Sequence, residues 1–426
     1  MIFAALLTLM ALAATIPFIW ESKSLWYKTG LERILLQVGK IVGLAAAILL
    51  FFQVILALRL KILDRVFGLD RLFHLHKLGG LTILILAVLH ASLVIVPEGI
   101  KNLPIGWKFW PEMLGGTILL LLLVFVFTAL LRRKLLPYHL WRRMHRPVGY
   151  LFAVALSVHI FNVSDSFLKG VPNYSLWILI GTVSVVVILA KLRSFIGSRA
   201  KLPIAGYTLQ NDEVVSLKVT PPPSFSHAPG QFGFLRLHGE DISSEAHPFT
   251  IASAPNNDNN TLQFYIKKCG DWTKSIVPEN ITSASIQAPF GLFSYTAQPA
   301  AKLLVFIAGG IGITPLLSML RQIGTEETPP RVMLIWSLSR KTDMFLGDEL
   351  KSLQDRLPQL KSHIFYTREK GGRRVDQEQL AHLLEGVPEK TRFYVCGPEN
   401  MMKQTRKNLK DLGFSGKTIF WERFGL

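Results

Sequence analysis

Six apolar runs crowd the first 192 residues of this chain, at roughly 2–20, 38–57, 78–96, 115–132, 147–163 and 175–191. An α-helix needs about 20 apolar residues to cross the hydrocarbon of a bilayer. It is one of only two structures that satisfy every backbone N–H and C=O there. Each run is near that length, so the first half is expected to form a six-helix transmembrane bundle. The first run has a removable signal peptide as its alternative, though it lacks the basic flank of one. Beyond residue 200 the apolar runs shorten and turn residues separate them, which marks a water-soluble half and at least two domains.

Charge orients the bundle. The chain carries 47 Lys and Arg against 29 Asp and Glu. Nucleic acid is one partner such an excess suggests. The basic residues gather in the loops between apolar runs, however, where anionic lipid headgroups suit them better, so no nucleic acid is expected. One set of loops holds 15 of them, among them Arg59, Lys61, Arg65, Arg132, Arg142 and Arg199; the opposite set holds six. The positive-inside rule puts the richer set, and with it the soluble half, in the cytoplasm. The two cysteines, Cys269 and Cys396, both fall in that half and imply no disulfide framework.

Four histidines share one spacing. His76 and His90 bracket the third run, His145 and His159 the fifth, each pair 14 residues apart. On a helix that is about 21 Å of rise with an angular offset of about 40°, so both rings of a pair share a face. The third and fifth runs are parallel, so His76 faces His145 at the inner level and His90 faces His159 at the outer. Two facing imidazoles can hold one planar metallocofactor axially, and two levels would stack two haems. A non-haem metal, a proton relay and coincidence remain alternatives. Gly79, Gly80 and Gly149 would leave room for a macrocycle. His74 and His139 have no partner at matched spacing and read as interfacial residues. Phe152, midway along its run, is a candidate bridging aromatic or a packing side chain.

The soluble half changes pattern once. KLPIAGYTLQ, EVVSLKVT, GQFGFLRLHG and TLQFYIKK alternate apolar and polar residues, predicting an antiparallel β-barrel over 201–298. From 299 to 426, strand-like runs alternate with helical ones, predicting an α/β domain with a parallel sheet. GDWT (Gly270, Asp271, Trp272, Thr273) would open a short helix whose N–H groups suit a pyrophosphate. GGIGITP follows a buried strand. There Gly309, Gly310 and Gly312 would let a dinucleotide approach, with Thr314 as a donor and Pro315 next to it; a structural glycine turn is the alternative. Ser339 and Arg340 follow the second strand of the α/β domain. A planar guanidinium there suits a 2′-phosphate, with Arg368, Arg373 and Arg374 in reserve, against a solvated basic surface as the plain reading.

Together with HPFT and CGPENM these motifs resemble the NADPH oxidase and ferric reductase superfamily over nearly the whole chain. The resemblance implies a membrane domain (1–196) with two b-type haems, a ferredoxin-reductase-like FAD barrel (201–298) and an NADPH-binding α/β domain (299–426). It implies that His247, Pro248, Phe249 and Thr250 meet FAD, with the threonine near the isoalloxazine and the histidine near the phosphates. It sets Cys396, Gly397 and Pro398 beside the nicotinamide, and it nominates Phe424, in the closing WERFGL, to stack on the flavin. It points to a bacterial inner or plasma membrane.

The expected activity passes electrons from NADPH through FAD and the haems to an external acceptor, dioxygen giving superoxide or a ferric or cupric chelate. Lys40, in the outer part of the second run, would favour a developing anion or would simply snorkel to the interface. A haem-binding subunit serving a partner enzyme is a rival from another class, opposed by the complete set of flavin and nucleotide motifs.

Overall fold

The computed structural model describes residues 2–99, 103–135, 138–243, 245–255, 260–298, 300–372 and 374–422. Contacts divide it into two units, residues 1–60 with 71–192 and residues 61–70 with 193–426.

In the first unit α1 (Ile2–Ile19) leads through the single turn α2 (Lys23–Trp26) to α3 (Gly30–Leu56). A short α4 (Lys61–Phe67), which counts with the second unit, precedes α5 (Leu69–Ile95), α6 (Trp110–Leu135), α7 (Tyr138–Val163) and α8 (Val171–Arg199). Among the described residues five helices are long and apolar enough to cross a membrane: Gly30–Leu56, Leu69–Ile95, Trp107–Leu131, Arg143–Val163 and Val171–Gly197. The first apolar run contributes a shorter apolar helix, Ala5–Ile19. These helices are apolar on every face: Leu120 (62% exposed) and Ile178 (68% exposed) point outward, as side chains do where the solvent is lipid. Inside, Leu50, Ile83, Leu122 and Phe152 knit α3, α5, α6 and α7 together. Gly39 lets α3 approach α5 closely, since a Cβ there would stand 3.1 Å from Leu93 and from Val94. The segment between α1 and α3 is fastened at both ends. Arg33 pairs with Glu21 at 2.5 Å, Ser166 Oγ donates to Trp20 O at 2.6 Å, and Leu25 is fully buried.

The second unit holds two sheets. The first is antiparallel with order β4-β3-β6-β1-β2-β5, from β1 (Leu202–Asn211), β2 (Val214–Val219), β3 (Phe232–Gly239), β4 (Ala246–Thr250), β5 (Leu262–Lys267) and β6 (Ile281–Phe290). The tight turn between β1 and β2 follows from Asn211, whose Oδ1 accepts from the N–H groups of Glu213 and Val214. Alternation puts Leu217, Leu235, Leu237 and Phe264 in the core. The one-turn helix α9 (Asp271–Lys274) lies between β5 and β6. The second sheet is parallel throughout, with order β11-β10-β7-β8-β9. Its strands are β7 (Leu303–Gly309), β8 (Arg331–Leu338), β9 (Leu360–Tyr366), β10 (Thr391–Cys396) and β11 (Ile419–Glu422). Its helices are α10 (Ile313–Ile323), α11 (Gly347–Arg356), α12 (Gln377–Leu383) and α13 (Glu399–Asp411). The continuous run LLVFIAG of β7 is buried along its whole length, as a strand covered on both faces must be.

Arg321 ties the two sheets together. It pairs with Glu349 at 2.5 Å and donates to Ala252 O at 2.8 Å and to the Tyr265 hydroxyl at 3.2 Å. Helix α4 docks on the end of β6, where Lys61 Nζ donates to Ala288 O at 2.6 Å and Gly291 N donates to Asp64 Oδ2 at 3.0 Å.

Candidate functional site

The strand order of the parallel sheet fixes where a dinucleotide can sit. From β7 the chain proceeds to β8 and β9 on one side and to β10 on the other, so the topology switches between β7 and β10. In open α/β sheets ligands bind beyond the carboxyl ends of the strands at that point. GGIG follows β7 there and CGP follows β10. The two loops touch so closely that only glycine fits: a Cβ on Gly309 would stand 2.5 Å from Met401 Sδ and 2.8 Å from Pro398, and one on Gly312 would run into the Cys396 carbonyl. Gly397 lies against Gly309. Gly310 differs. It has φ +53° and nothing within 4 Å of its missing Cβ, which leaves open space beside the backbone. Thr314 was expected as a donor to the ligand. Its buried hydroxyl instead donates to Ile311 O at 3.1 Å, capping its own turn, and Pro315 follows in the first turn of α10. Cys396 is buried, and its Sγ donates to Glu422 O at 3.7 Å. Burial, with Glu422 nearby, pushes its thiol up.

HPFT and GDWT meet in space. The rings of His247, on β4, and Trp272, on α9, stack at 4.1 Å, and Phe249 lies 6.1 Å from Trp272 on the same side. Glu245 Oε2 is 3.3 Å from His247 Nε2. Thr250 Oγ1, at the end of HPFT, is buried without a hydrogen-bond partner among the described residues. Pro248 lies opposite Phe234 in the ladder. The helix opened by GDWT offers less to an anion than its sequence suggests. The N–H groups of Cys269 and Gly270 both donate to Thr273 Oγ1, at 3.0 and 2.9 Å, so they are already engaged beside Asp271.

Beyond β8 and β9, Arg368 N donates to Ser339 O at 2.9 Å, which brings Ser339, Arg340 and Arg368 to one edge, with both guanidinium side chains exposed. Arg340 N also donates to Asp343 Oδ2 at 2.9 Å. Phe424 and Arg373 lie outside the described residues.

In the membrane unit the inner rings, His76 and His145, stand 6.1 Å apart between centroids, at 73° to each other. Two imidazoles that each hold a metal through one nitrogen at about 2 Å are separated by roughly this much. His76 Nδ1 is buried without a hydrogen-bond partner among the described residues. His145 stacks on Phe125 at 4.5 Å and on Trp141 at 4.3 Å. Phe152 packs in the core with its ring 5.6 Å from Phe125, one aromatic removed from His145. At the outer level His90 Nδ1 meets Gly39 O at 2.7 Å and His159 Nδ1 meets Pro111 O at 2.8 Å. Only a protonated nitrogen can donate to a carbonyl, so each outer ring carries its hydrogen on Nδ1 and presents a bare Nε2, the form that ligates a metal. Among the described residues no cluster of three or more His, Cys, Asp or Glu could hold a metal ion. The residues fit an axially held planar group.

The glycines divide. A Cβ on Gly80 or Gly149 would meet nothing within 4 Å. Gly79, expected to face a macrocycle, instead makes way for Gln53, whose Nε2 donates to His76 O at 2.9 Å. Sequence reasoning missed Gln53, Gly43, Pro111 and Gly115, because each acts on a histidine carried by another helix. Lys40 lies one residue from Gly39 and donates to Ser22 Oγ and, at 3.0 Å, to Ser24 Oγ.

Comparison with known proteins agrees with this division. The "Ferric reductase like transmembrane component" family model matches residues 42–156, "FAD-binding domain" residues 199–315 and "Oxidoreductase NAD-binding domain" residues 306–407. Dual oxidase 2 of Rattus norvegicus is 24% identical over 363 residues, 74% of this chain and 23% of that protein. Ferric reduction oxidase 8, mitochondrial, of Arabidopsis thaliana is 27% identical over 285 residues, 59% of this chain and 36% of that protein. Methane monooxygenase component C of Methylosinus trichosporium is 28% identical over 165 residues, 38% of this chain and 47% of that protein. The chain thus spans between 23% and 47% of the length of these curated relatives. Among the described residues, five apolar helices, together with the transmembrane, FAD-binding and NAD-binding matches, define the class, a membrane oxidoreductase with FAD- and NAD(P)H-binding domains. The chain belongs to the NADPH oxidase and ferric reductase superfamily.

Proposed function

We propose that the chain moves electrons from cytoplasmic NADPH, by way of FAD and two b-type haems, to dioxygen on the far side of the membrane, releasing superoxide. The observation that carries this reading is the facing of His76 on α5 and His145 on α7, and it is supported by the Nδ1 contacts of His90 and His159 on the same two helices. When bound, the nicotinamide and flavin supply hydride chemistry and the haems one-electron transfer. His76 and His145 hold the inner group, His90 and His159 the outer. Thr250 and His247 hold FAD on the antiparallel sheet, closed as a barrel over 201–298. Gly309, Gly310 and Gly312 receive NADPH against Gly397 and Pro398 in the domain 299–426, and Arg340 with Arg368 takes its 2′-phosphate. Helix α1 is the sixth span of the domain 1–196, in an inner or plasma membrane. His90 and His159 would both hold the outer group, so the acceptor would take its electron without ligating that group's metal. Lys40 there favours a developing anion.

A second reading ends the same path on a ferric chelate. It is favoured by the match to a ferric reduction oxidase over 59% of this chain. The purified protein with NADPH separates the two. A dismutase-inhibitable signal in air is expected; ferrous formation under anaerobic conditions, with no such signal in air, would replace dioxygen by iron.

A further inference from the structure

We infer that α3 and α6, which carry no ligand, hold the two outer histidines by one repeated device: a backbone carbonyl and, four residues on, a glycine notch. The inference rests on the haem reading above. In α3 the carbonyl is that of Gly39 and the notch is Gly43, where a Cβ would stand 2.6 Å from His90 Nδ1. In α6 the carbonyl is that of Pro111 and the notch is Gly115, where a Cβ would stand 2.5 Å from His159 Cε1.

Helix geometry explains the interval. The Cα–Cβ bond tilts toward the helix N-terminus, so the side chain of residue i+4 lies over the turn that contains the carbonyl of residue i. That oxygen already accepts the intrahelical N–H of residue i+4, but a carbonyl has a second lone pair. Removing the Cβ at i+4 uncovers it. An imidazole from another helix can then lie flat in the notch and donate Nδ1–H to the oxygen. The device therefore does two things at once: it fixes the ring plane, and it fixes the tautomer so that Nε2 is the ligating atom. His76 has no copy of it: its Nδ1 has no partner among the described residues, and Gln53, from α3, donates to the His76 carbonyl instead.

Gly43 and Gly115 are thus positioning residues for the outer group. The test is Gly43→Ala and Gly115→Ala in the full chain, purified in detergent, with haem and FAD measured per chain and reduced-minus-oxidised and low-temperature EPR spectra recorded. Both variants should lose about 10–100-fold in affinity for the outer haem, the usual effect of disturbing an outer-shell partner. The inner signal and the FAD content should be retained in the same samples, which also reports that each variant folds. Gly181→Ala, on α8 with nothing within 4 Å of its missing Cβ, should keep both haems. Gly115→Ala tests the claim from a different helix if Gly43→Ala fails to accumulate. Full haem content with unchanged spectra in both notch variants would overturn the inference and leave the haem reading standing. Wild-type protein without haem would overturn both.

Discussion

The outer and inner histidine levels stand on the same two helices, yet they are held by different forces. Outer rings are fixed by backbone carbonyls at 2.7 and 2.8 Å, contacts that no substitution of the acceptor residue removes. Inner rings are fixed by packing: His145 stacks on Phe125 and on Trp141, and His76 is steadied through its own carbonyl by Gln53. A hydrogen bond to Nδ1–H makes the opposite nitrogen more basic and favours the higher oxidation state of a bound metal. With groups bound as proposed, the outer one would give its electron up more readily for this reason.

The largest expected effects come from removing a ligand. In His90→Ala, NADPH should still reduce the inner haem, and acceptor reduction should fall to background. In His76→Ala, NADPH should reduce neither. Anaerobic stopped-flow spectra distinguish these outcomes. Equal loss of both signals in His90→Ala would mean the levels do not assemble separately. Next comes Phe125→Ala, which removes one stacking wall of His145. Loss of a buried phenylalanine costs about 3–5 kcal/mol, and less here because Phe125 is only partly buried. The inner EPR signal should broaden and shift while the outer stays fixed. A change confined to the outer signal would reverse the assignment of levels.

How much of this was legible in the sequence follows from where the partners sit. His76 and His90 lie on one helix, so the 3.6-residue period predicts their shared face. GGIGITP and CGPENM announce themselves because each lies at the end of a buried strand. Gly43 and Gly115 do not, because their meaning depends on a ring brought in from another helix. Gly79 was assigned to the wrong neighbour for the same reason: spacing says that a glycine is near a ligand, not which side chain fills the space. The Thr314 hydroxyl and the Gly270 N–H of GDWT look like free donors in sequence and are engaged locally in the fold. The first apolar run gives a helix, Ala5–Ile19, shorter than the other five.

A change outside both levels bounds the comparison. Glu422 is buried, and burial, with Asp70 and then Asp64 nearby, pushes its carboxyl well above the ordinary 4.5. The folded chain then binds this proton more tightly than the unfolded chain does. Stability is therefore greatest below pH 4.5 for this group and falls as pH rises from there toward the folded value. Glu422→Gln should flatten that loss in pH-dependent thermal melts and leave both haem spectra unchanged. A melt that keeps its pH slope in the variant would assign the effect elsewhere.

The smallest effect is expected at Lys40, and it sharpens the outer side of the contrast most. An ammonium group has three donors. One goes to Ser22 Oγ and one to Ser24 Oγ, and the two hydroxyls are 2.8 Å apart, so one hydroxyl hydrogen is committed between them. That leaves one N–H and one hydroxyl hydrogen without an acceptor among the described residues, and on the proposed reading these would face a small anion. The same positive charge opposes the Nδ1 effect at the outer level, since it favours an added electron. Because the group is half-buried, its charge is worth on the order of 1 kcal/mol, and Lys40→Met should slow acceptor reduction about two- to tenfold. Lys40→Arg should restore most of the rate, and reduction of the inner haem by NADPH should be the same in all three proteins. If Lys40→Met instead slowed reduction of the inner haem and spared the acceptor step, the lysine would belong to the structure of the bundle and not to the chemistry at its outer edge.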